Sequence, residues 1–200
     1  MEENITINKI KRIAVFCGSN LGKDDKYKSA AKDLGKLLVK EGIELIYGGG
    51  RIGLMGVIAD SVLQAGGNVI GVMPEFLVKR EALHPGVLDL RVVDTMHSRK
   101  AMMADLADAF ISIPGGFGTL DELIEIVTWN QLGVIKKPVG LLNVNNYFDL
   151  LLDFIAKAAE EGFLRMDNQS EIFIQKDIFK LLNILKDNFE ANTIERLELV

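Results

Sequence analysis

The chain is poor in residues that form covalent or metal-bound cross-links. It has a single cysteine, Cys17, so no intramolecular disulfide is possible, which fits a reducing compartment such as the cytoplasm. It has only two histidines, His84 and His97, and they lack the paired spacing of a zinc site. We therefore expect a cytoplasmic protein that binds no metal.

Positive charge and long apolar runs are also scarce. The net charge is -5, and no basic stripe of the kind that nucleic-acid binders carry is present. The longest apolar runs, such as 107–113, are far too short to span a membrane. The first residues, MEENITINKIKR, lack the apolar stretch of a signal peptide, and we expect residues 1–8 to be frayed. Neither a nucleic acid nor a membrane is an expected partner.

What the chain does have is enough apolar content for one buried core. Hydrophobic residues make up 48% of its 200 residues. We find no internal repeat, low-complexity tract or linker. The sequence thus predicts a single domain over 1–200, in which 164–200 is a C-terminal helical extension.

Apolar, β-rich runs alternate with segments of helical periodicity. The predicted strands are 12–17, 43–48, 68–73, 90–94, 108–114, 138–144 and 171–175. The predicted helices are 24–40, 54–65, 97–106, 119–132, 147–160 and 177–189, and 74–88 is predicted to be irregular. Strands that are apolar at consecutive positions are buried on both faces. The pattern therefore predicts an α/β fold with a doubly wound parallel sheet flanked by helices.

Glycine-rich turns follow three of these strands. CGSNLG follows the first strand, GGGRIGLMG the second and PGGFGT the fifth, while TMHSRK follows the fourth. In doubly wound sheets, ligands bind at the carboxyl ends of the strands, near a switch in strand order. The sequence therefore predicts a ligand site where these turns meet.

The turn after the second strand has two interpretations. GGGRIG at 48–53 fits G-x-G-x-x-G, and Glu75 lies about 20 residues further on, where a ribose-binding acid is sought. A mononucleotide or phosphate cradle is favoured over a dinucleotide site, because the turn follows the second strand and not the first. The alternative is a tight turn with close packing of helix on sheet.

PGGFGT directly precedes a helix, whose free N–H groups form an anion site. No lysine follows, so this is not the phosphate loop of an NTPase. Gly18 and Ser19, after the first strand, would add amides and a hydroxyl group. Glu122 either caps the helix in the T-x-x-E pattern that begins at Thr119, or faces the ligand with Glu125 in support.

Two adjacent cations, Arg99 and Lys100, lie at the start of a predicted helix, where the helix dipole disfavours them. Such local inconsistencies concentrate at functional sites. Either the two are a solvated pair, or Arg99 binds a phosphate or Glu122 while Lys100 acts as a point charge. An arginine at Glu122 would hold that carboxyl ionised.

Together these segments resemble one family. PGGFGTLDE and MHSRK look like the PGGxGTxxE and MxxRK signatures of the Lonely Guy (LOG) family. The likeness runs from about Arg12 to Phe163 and includes CGS, YGGG, GLMG and TW-x-QLG, which begin at residues 17, 47, 53 and 128. Many members of the family were first labelled lysine decarboxylases.

The resemblance implies a Rossmann-like homodimer, with the active site near the subunit interface and no cofactor. It implies hydrolysis of an adenine or N6-prenyladenine nucleoside 5'-monophosphate to free base and ribose 5-phosphate, with Arg99 and Glu122 as catalytic residues. At Glu75 the chain departs from the family's common lysine. The other predicted substrate contacts are Gly18, Ser19, Gly49, Gly50, Met55, Glu81, Met96, Lys100, Gly115, Gly116, Phe117, Gly118, Thr119, Leu120, Asp121 and Thr128.

In this interpretation the loop amides hold the 5'-phosphate. Glu122 then faces the ribose and stabilises an oxocarbenium-like state. A role for Arg99 in protonating the leaving base is left open. Two other classes also remain: a nucleotide- or cofactor-binding carrier that uses the same loops without turnover, and a dinucleotide-dependent oxidoreductase built on 48–53.

Overall fold

The computed structural model describes residues 9–78, 83–164 and 172–198, with side chains as far as 192. Its strands are β1 (Arg12–Phe16), β2 (Glu44–Tyr47), β3 (Val69–Pro74), β4 (Asp89–Val93), β5 (Ala109–Ser112), β6 (Val139–Leu142) and β7 (Ile172–Gln175). Its helices are α1 (Asp25–Lys40), α2 (Gly53–Gln64), α3 (Glu75–Val78), α4 (Met96–Leu106), α5 (Phe117–Gln131), α6 (Asp149–Glu160) and α7 (Ile178–Glu198). A 3-10 turn, Val144–Asn146, precedes α6.

The strands form one parallel sheet in the order β4-β3-β2-β1-β5-β6-β7. The predicted α/β class with a doubly wound parallel sheet is confirmed. The strand order reverses between β1 and β5, so the loops that follow these two strands lie side by side. The Gly18 N–H donates a hydrogen bond to the Pro114 carbonyl at 3.1 Å, which joins the two loops. This reversal fixes where a ligand site should be.

Side chains alternate between two cores, one on each face of the sheet. In β1, Ile13 and Val15 pack with α1, α2 and α7, whereas Ala14 and Phe16 pack with α4 and α5. Burial on both faces explains why the strands are apolar at consecutive positions. In the described ranges, no helix combines the length and hydropathy needed to cross a membrane.

Several element boundaries differ from the predicted ones. The helix α5 begins two residues earlier than predicted, because glycines near its start hide the helical pattern. The stretch 74–88 holds the end of β3 and the short α3, whose residues are not buried and so leave no apolar periodicity. The last helix continues to Glu198, past the apolar pattern that ends at Phe189.

Candidate active site

A cavity of about 250 Å³ lies at the carboxyl end of the sheet, beside the loops that follow β1 and β5. Two of its wall residues, Cys17 and Leu77, were not predicted as contacts: Leu77 has no sequence signal, and Cys17 is the last residue of the predicted first strand. The ten wall residues that were predicted are Ser19, Met55, Met96, Arg99, Gly116, Phe117, Gly118, Thr119, Asp121 and Glu122. The structure thus brings most of the predicted site together.

Arg99 and Glu122 form an ion pair inside this cavity. Arg99 Nη2 lies 3.2 Å from Glu122 Oε1, and the two side chains are only 11% and 10% exposed. Arg99 Nε also donates to the Val72 carbonyl at 3.1 Å, so its guanidinium is fixed against the end of β3. The interpretation of Arg99 as a solvated surface charge is therefore wrong.

Gly48 makes room for this arginine. A Cβ atom at Gly48 would lie 2.2 Å from Arg99 Nη2 and 3.2 Å from Met55 Sδ. At the other end of the same turn, a Cβ atom on Gly53 would lie 2.2 Å from the Ser19 carbonyl carbon. These contacts agree with the interpretation of the triple-glycine turn as a close-packing device. The sequence predicted that this turn lies between a strand and a helix, but it did not predict that Gly48 contacts Arg99.

Lys100 connects α4 to α5 behind the cavity. Its Nζ lies 3.1 Å from Asp121 Oδ2 and 3.0 Å from Glu125 Oε2. Burial lowers the pKa of Lys100, but its hydrogen bonds to Glu125 and Asp121 outweigh that effect and raise the pKa above its ordinary value. The ammonium group is therefore charged and already neutralised by two carboxylates. Glu125, predicted to support Glu122, pairs with Lys100 instead.

Glu122 lies in a setting that opposes its ionisation. Burial raises the pKa of this carboxyl above its ordinary value, and Asp121 adds to the effect, while the adjacent Arg99 works in the opposite direction. Burial also raises the pKa of the Cys17 thiol, and Glu122 raises it further. A protonated thiol is a poor nucleophile, so this cysteine is a wall residue of the site.

The N-terminus of α5 opens into the cavity. Gly116 is the N-cap residue, the helix begins at Phe117, and no side chain caps it. The first N–H groups of a helix have no partner within the helix, so the turn can bind an anion. Thr119 is already the third helical residue and Glu122 lies further in, so the capping-box interpretation is wrong. Asp121 also lies beyond the first turn of the helix.

The loops after β1 and β5 are packed backbone against backbone. A Cβ atom at Gly115 would lie 2.0 Å from Thr119 Oγ1 and 2.8 Å from the Gly18 nitrogen, so this position requires glycine. Gly18 and Gly115 line a second cleft, of about 230 Å³, together with Tyr27 and Tyr147. Ser19 and Gly116 border both spaces.

Two predicted contacts on the triple-glycine turn do not line the cavity. Gly49 packs against Met73 and Leu90, and its carbonyl accepts from the His84 N–H at 3.3 Å. Gly50 forms an isolated bridge with Leu83. Both glycines therefore support the turn that carries Gly48.

Three further predicted contacts lie elsewhere. Leu120 and Thr128 line a shallow depression on the outer side of α5, and the Thr128 hydroxyl donates to the Ile124 carbonyl at 2.7 Å. Glu81 lies outside the described residues. Within residues 9–78, 83–164 and 172–198, no three His, Cys, Asp or Glu side chains are grouped as a metal ion would require.

Comparison with known proteins gives a family and a set of close relatives. Residues 55–185 match the model of a family described as "Possible lysine decarboxylase". The chain is 53% identical to the cytokinin riboside 5'-monophosphate phosphoribohydrolase LOG3 of Arabidopsis thaliana, over 81% of this chain and 75% of that protein. It is 51% identical to LOG4 of the same plant, over 90% of this chain and 83% of that protein.

Solved structures with the same fold include the molybdenum cofactor binding protein of the phototrophic bacterium Rippkaea orientalis. The match has a TM-score of 0.68 and covers 91% of this chain and 98% of that one, at 24% sequence identity. Identity this low supports the fold alone.

Proposed function

The chain belongs to the Lonely Guy family, and we propose that it hydrolyses the N-glycosidic bond of an adenine or N6-prenyladenine nucleoside 5'-monophosphate, releasing free base and ribose 5-phosphate. One observation carries the proposal: the buried Arg99–Glu122 pair lies in the same cavity as the uncapped N-terminus of α5. The anion site would take the phosphate, and the carboxylate would act on the sugar.

The phosphate is bound by the first turn of α5. Its backbone N–H groups and the positive end of the helix dipole both favour an anion, and Gly116 and Gly118 let a ligand approach the backbone closely. A Cβ atom at either glycine would meet nothing within 4 Å, so the space beside them is open. A phosphate bound there needs no metal ion as a bridge.

Glu122 stabilises the transition state. Cleavage of an N-glycosidic bond builds positive charge on the ribose, and a carboxylate that is preorganised in a largely buried position stabilises that charge strongly. Glu122 also orients the attacking water, as one carboxylate of a glycosidase pair does. The raised pKa of its carboxyl suits an acceptor of the proton that the water loses.

Arg99 positions Glu122 and influences its ionisation. It favours the charged form of the carboxyl, against the effect of burial. Its second contact, to the Val72 carbonyl, holds the guanidinium in one position in the cavity.

Lysine decarboxylation, the activity that the family's description names, fits the site poorly. An amine that forms a Schiff base must lose its proton. Lys100, the lysine next to Arg99, is held charged by Asp121 and Glu125.

The test is a product assay with AMP and, separately, with N6-isopentenyladenosine monophosphate. Free base and ribose 5-phosphate are measured by chromatography for the wild type, Glu122→Gln and Glu160→Gln. Glu160 is an exposed glutamate on α6 and serves as the matched control. We expect base release that Glu122→Gln lowers at least about 100-fold, while Glu160→Gln stays at the wild-type rate. Nucleotide binding without base release would contradict the proposal and identify a carrier.

We also propose a homodimer that packs along α5. Three apolar side chains of this region are exposed: Phe117 at 93%, Ile124 at 43% and Leu132 at 71%. Phe117 also lines the cavity, so a second copy there would border the active site. Light scattering should give the mass of two chains, and Ile124→Asp should halve it. Leu150→Asp, at an exposed leucine of α6, is the control and should leave the mass unchanged.

Two further proposals concern the domain and its location. We propose a single domain, because β7 pairs with β6 and the α7 leucines Leu181, Leu182 and Leu185 are buried in the core beside α1. A cytoplasmic protein without a nucleic-acid partner is proposed from the lone buried Cys17 and the net charge of -5.

A further inference from the structure

The hydroxyl of Tyr147 is hydrogen-bonded to the loop that precedes α5. It donates a 2.6 Å hydrogen bond to the Gly115 carbonyl, from the second cleft. The ring is held edge-on by two aromatic neighbours, with centroid distances of 5.7 Å to Tyr27 and 5.0 Å to Phe148. The hydroxyl therefore has a defined position.

The turn that carries Tyr147 is itself anchored. Asn145 and Asn146 both have positive φ values, 52° and 60°, which cost energy in residues other than glycine. Asn145 donates to Asp24 Oδ2 and accepts from Lys26 Nζ, each at 3.1 Å. These bonds to the start of α1 compensate for the strained backbone and hold the turn beside the loop.

The geometry of the peptide unit links this bond to the active site. The peptide between Gly115 and Gly116 is planar and trans, so its C=O and its N–H point in opposite directions. With the Gly115 carbonyl held in the second cleft, the Gly116 N–H points away from it. Because Gly116 borders both spaces, an N–H that points away from the second cleft can reach a phosphate in the cavity that contains Arg99 and Glu122.

The Gly115 side of this peptide is packed closely, but its Gly116 side is open. Both flanking residues are glycines, which tolerate backbone rotation that other residues resist, and nothing lies within 4 Å of a Cβ built on Gly116. We propose that Tyr147 is a positioning residue, whose hydroxyl fixes the Gly115–Gly116 peptide so that the Gly116 N–H binds the phosphate of the substrate. This inference rests on the proposed function.

The test compares Tyr147→Phe with Tyr27→Phe. Each variant removes one hydroxyl from the same aromatic contact. In the described part of the chain, the Tyr27 hydroxyl makes no hydrogen bond, so Tyr27→Phe is the matched control. Calorimetry gives the Kd for ribose 5-phosphate, steady-state kinetics give KM and kcat for AMP, and thermal melting reports on stability.

We expect Tyr147→Phe to raise both the Kd and the KM about fivefold, the usual size of one lost hydrogen bond. The value of kcat should change less than about twofold, because the phosphate contact is equal in ground and transition states. Tyr27→Phe should change none of these. A general structural effect would instead lower the melting temperature and kcat.

Three results would overturn the inference: an unchanged Kd and KM in Tyr147→Phe, the same change in Tyr27→Phe, or no ribose 5-phosphate binding by the wild type. Absence of base release by the wild type would contradict the proposed function alone. The Kd comparison would still decide the role of Tyr147, since binding of the sugar phosphate needs no turnover.

Discussion

Arg99 and Glu122 reach each other from neighbouring helices, and their 3.2 Å contact is formed where both side chains have lost most of their water. Burial raises the pKa of Glu122, and Arg99 is the largest influence that lowers it. The ionisation of the proposed catalytic carboxylate therefore depends on a residue from another helix.

The pH dependence of activity should show this coupling. If Glu122 acts as a carboxylate, kcat/KM falls as pH decreases through its pKa, which burial has raised above the ordinary glutamate range. Arg99 is the main influence that lowers the pKa of Glu122. In Arg99→Gln, the acid limb of the kcat/KM profile, where activity falls with decreasing pH, should therefore move to higher pH. Arg99→Lys keeps the charge and should shift the limb less, while still losing roughly 100-fold in kcat through misplacement. Identical acid limbs in wild type and Arg99→Gln would contradict this coupling.

Lys100 should influence the same carboxyl more weakly. Lys100 lowers the pKa of Glu122, whereas Asp121 and Glu125 raise it. Lys100→Met leaves those two acids without their cation, so we expect the acid limb to move upward by less than in Arg99→Gln. On the plateau above this acid limb, kcat/KM of Lys100→Met should be closer to the wild-type value than in either Arg99 variant. A shift to lower pH in the kcat/KM profile would show that this sign is wrong.

Alanine substitutions at two glycines should affect different properties: Gly48→Ala should lower activity, and Gly42→Ala should lower stability. A Cβ atom at Gly48 would displace Arg99 Nη2, so Gly48→Ala should lower kcat by at least about tenfold. Gly42 has a φ of 70° with open space around it. Gly42→Ala should therefore cost about 1 kcal/mol of stability through backbone strain and leave kcat unchanged. Assays and urea unfolding of both variants check this contrast, which fails if Gly48→Ala has full activity.

The last helix should contribute stability without contributing to chemistry. Leu181 is fully buried, and two of its side-chain atoms lie within about 3.2 Å of a Cβ built on Gly140 in β6. Leu181→Ala should lower the free energy of unfolding by about 2–5 kcal/mol, measured by denaturant titration. Activity per folded molecule should not change. Two separate unfolding transitions would argue against a single domain.

The sequence predicted the sheet and most of the cavity wall because both depend on local signals. Consecutive apolar positions predict strands that are buried on both faces, and glycines next to a helix start predict an anion site. The two sequence signatures together predicted that Arg99 and Glu122 belong to the site.

Long-range partners could not be predicted in the same way. The pairing of Lys100 with Glu125, the packing of Gly48 against Arg99 and the bond from Tyr147 to Gly115 all join segments that are distant in the chain. Local pattern was also misleading at Thr119 and Glu122, where a capping-box spacing occurs inside a helix that had already begun.

The strand order has a consequence for synthesis on the ribosome. In the finished sheet, β1 pairs with β2 on one side and with β5 on the other. Because β5 is translated only after the first half of the chain, the apolar β1 is an unprotected edge strand until then. The growing chain is thus most exposed to aggregation along the strand that later carries one side of the ligand crevice. Pairing with β5 covers this edge of β1 and creates the crevice in one step, and β5 is then the edge strand until β6 pairs with it.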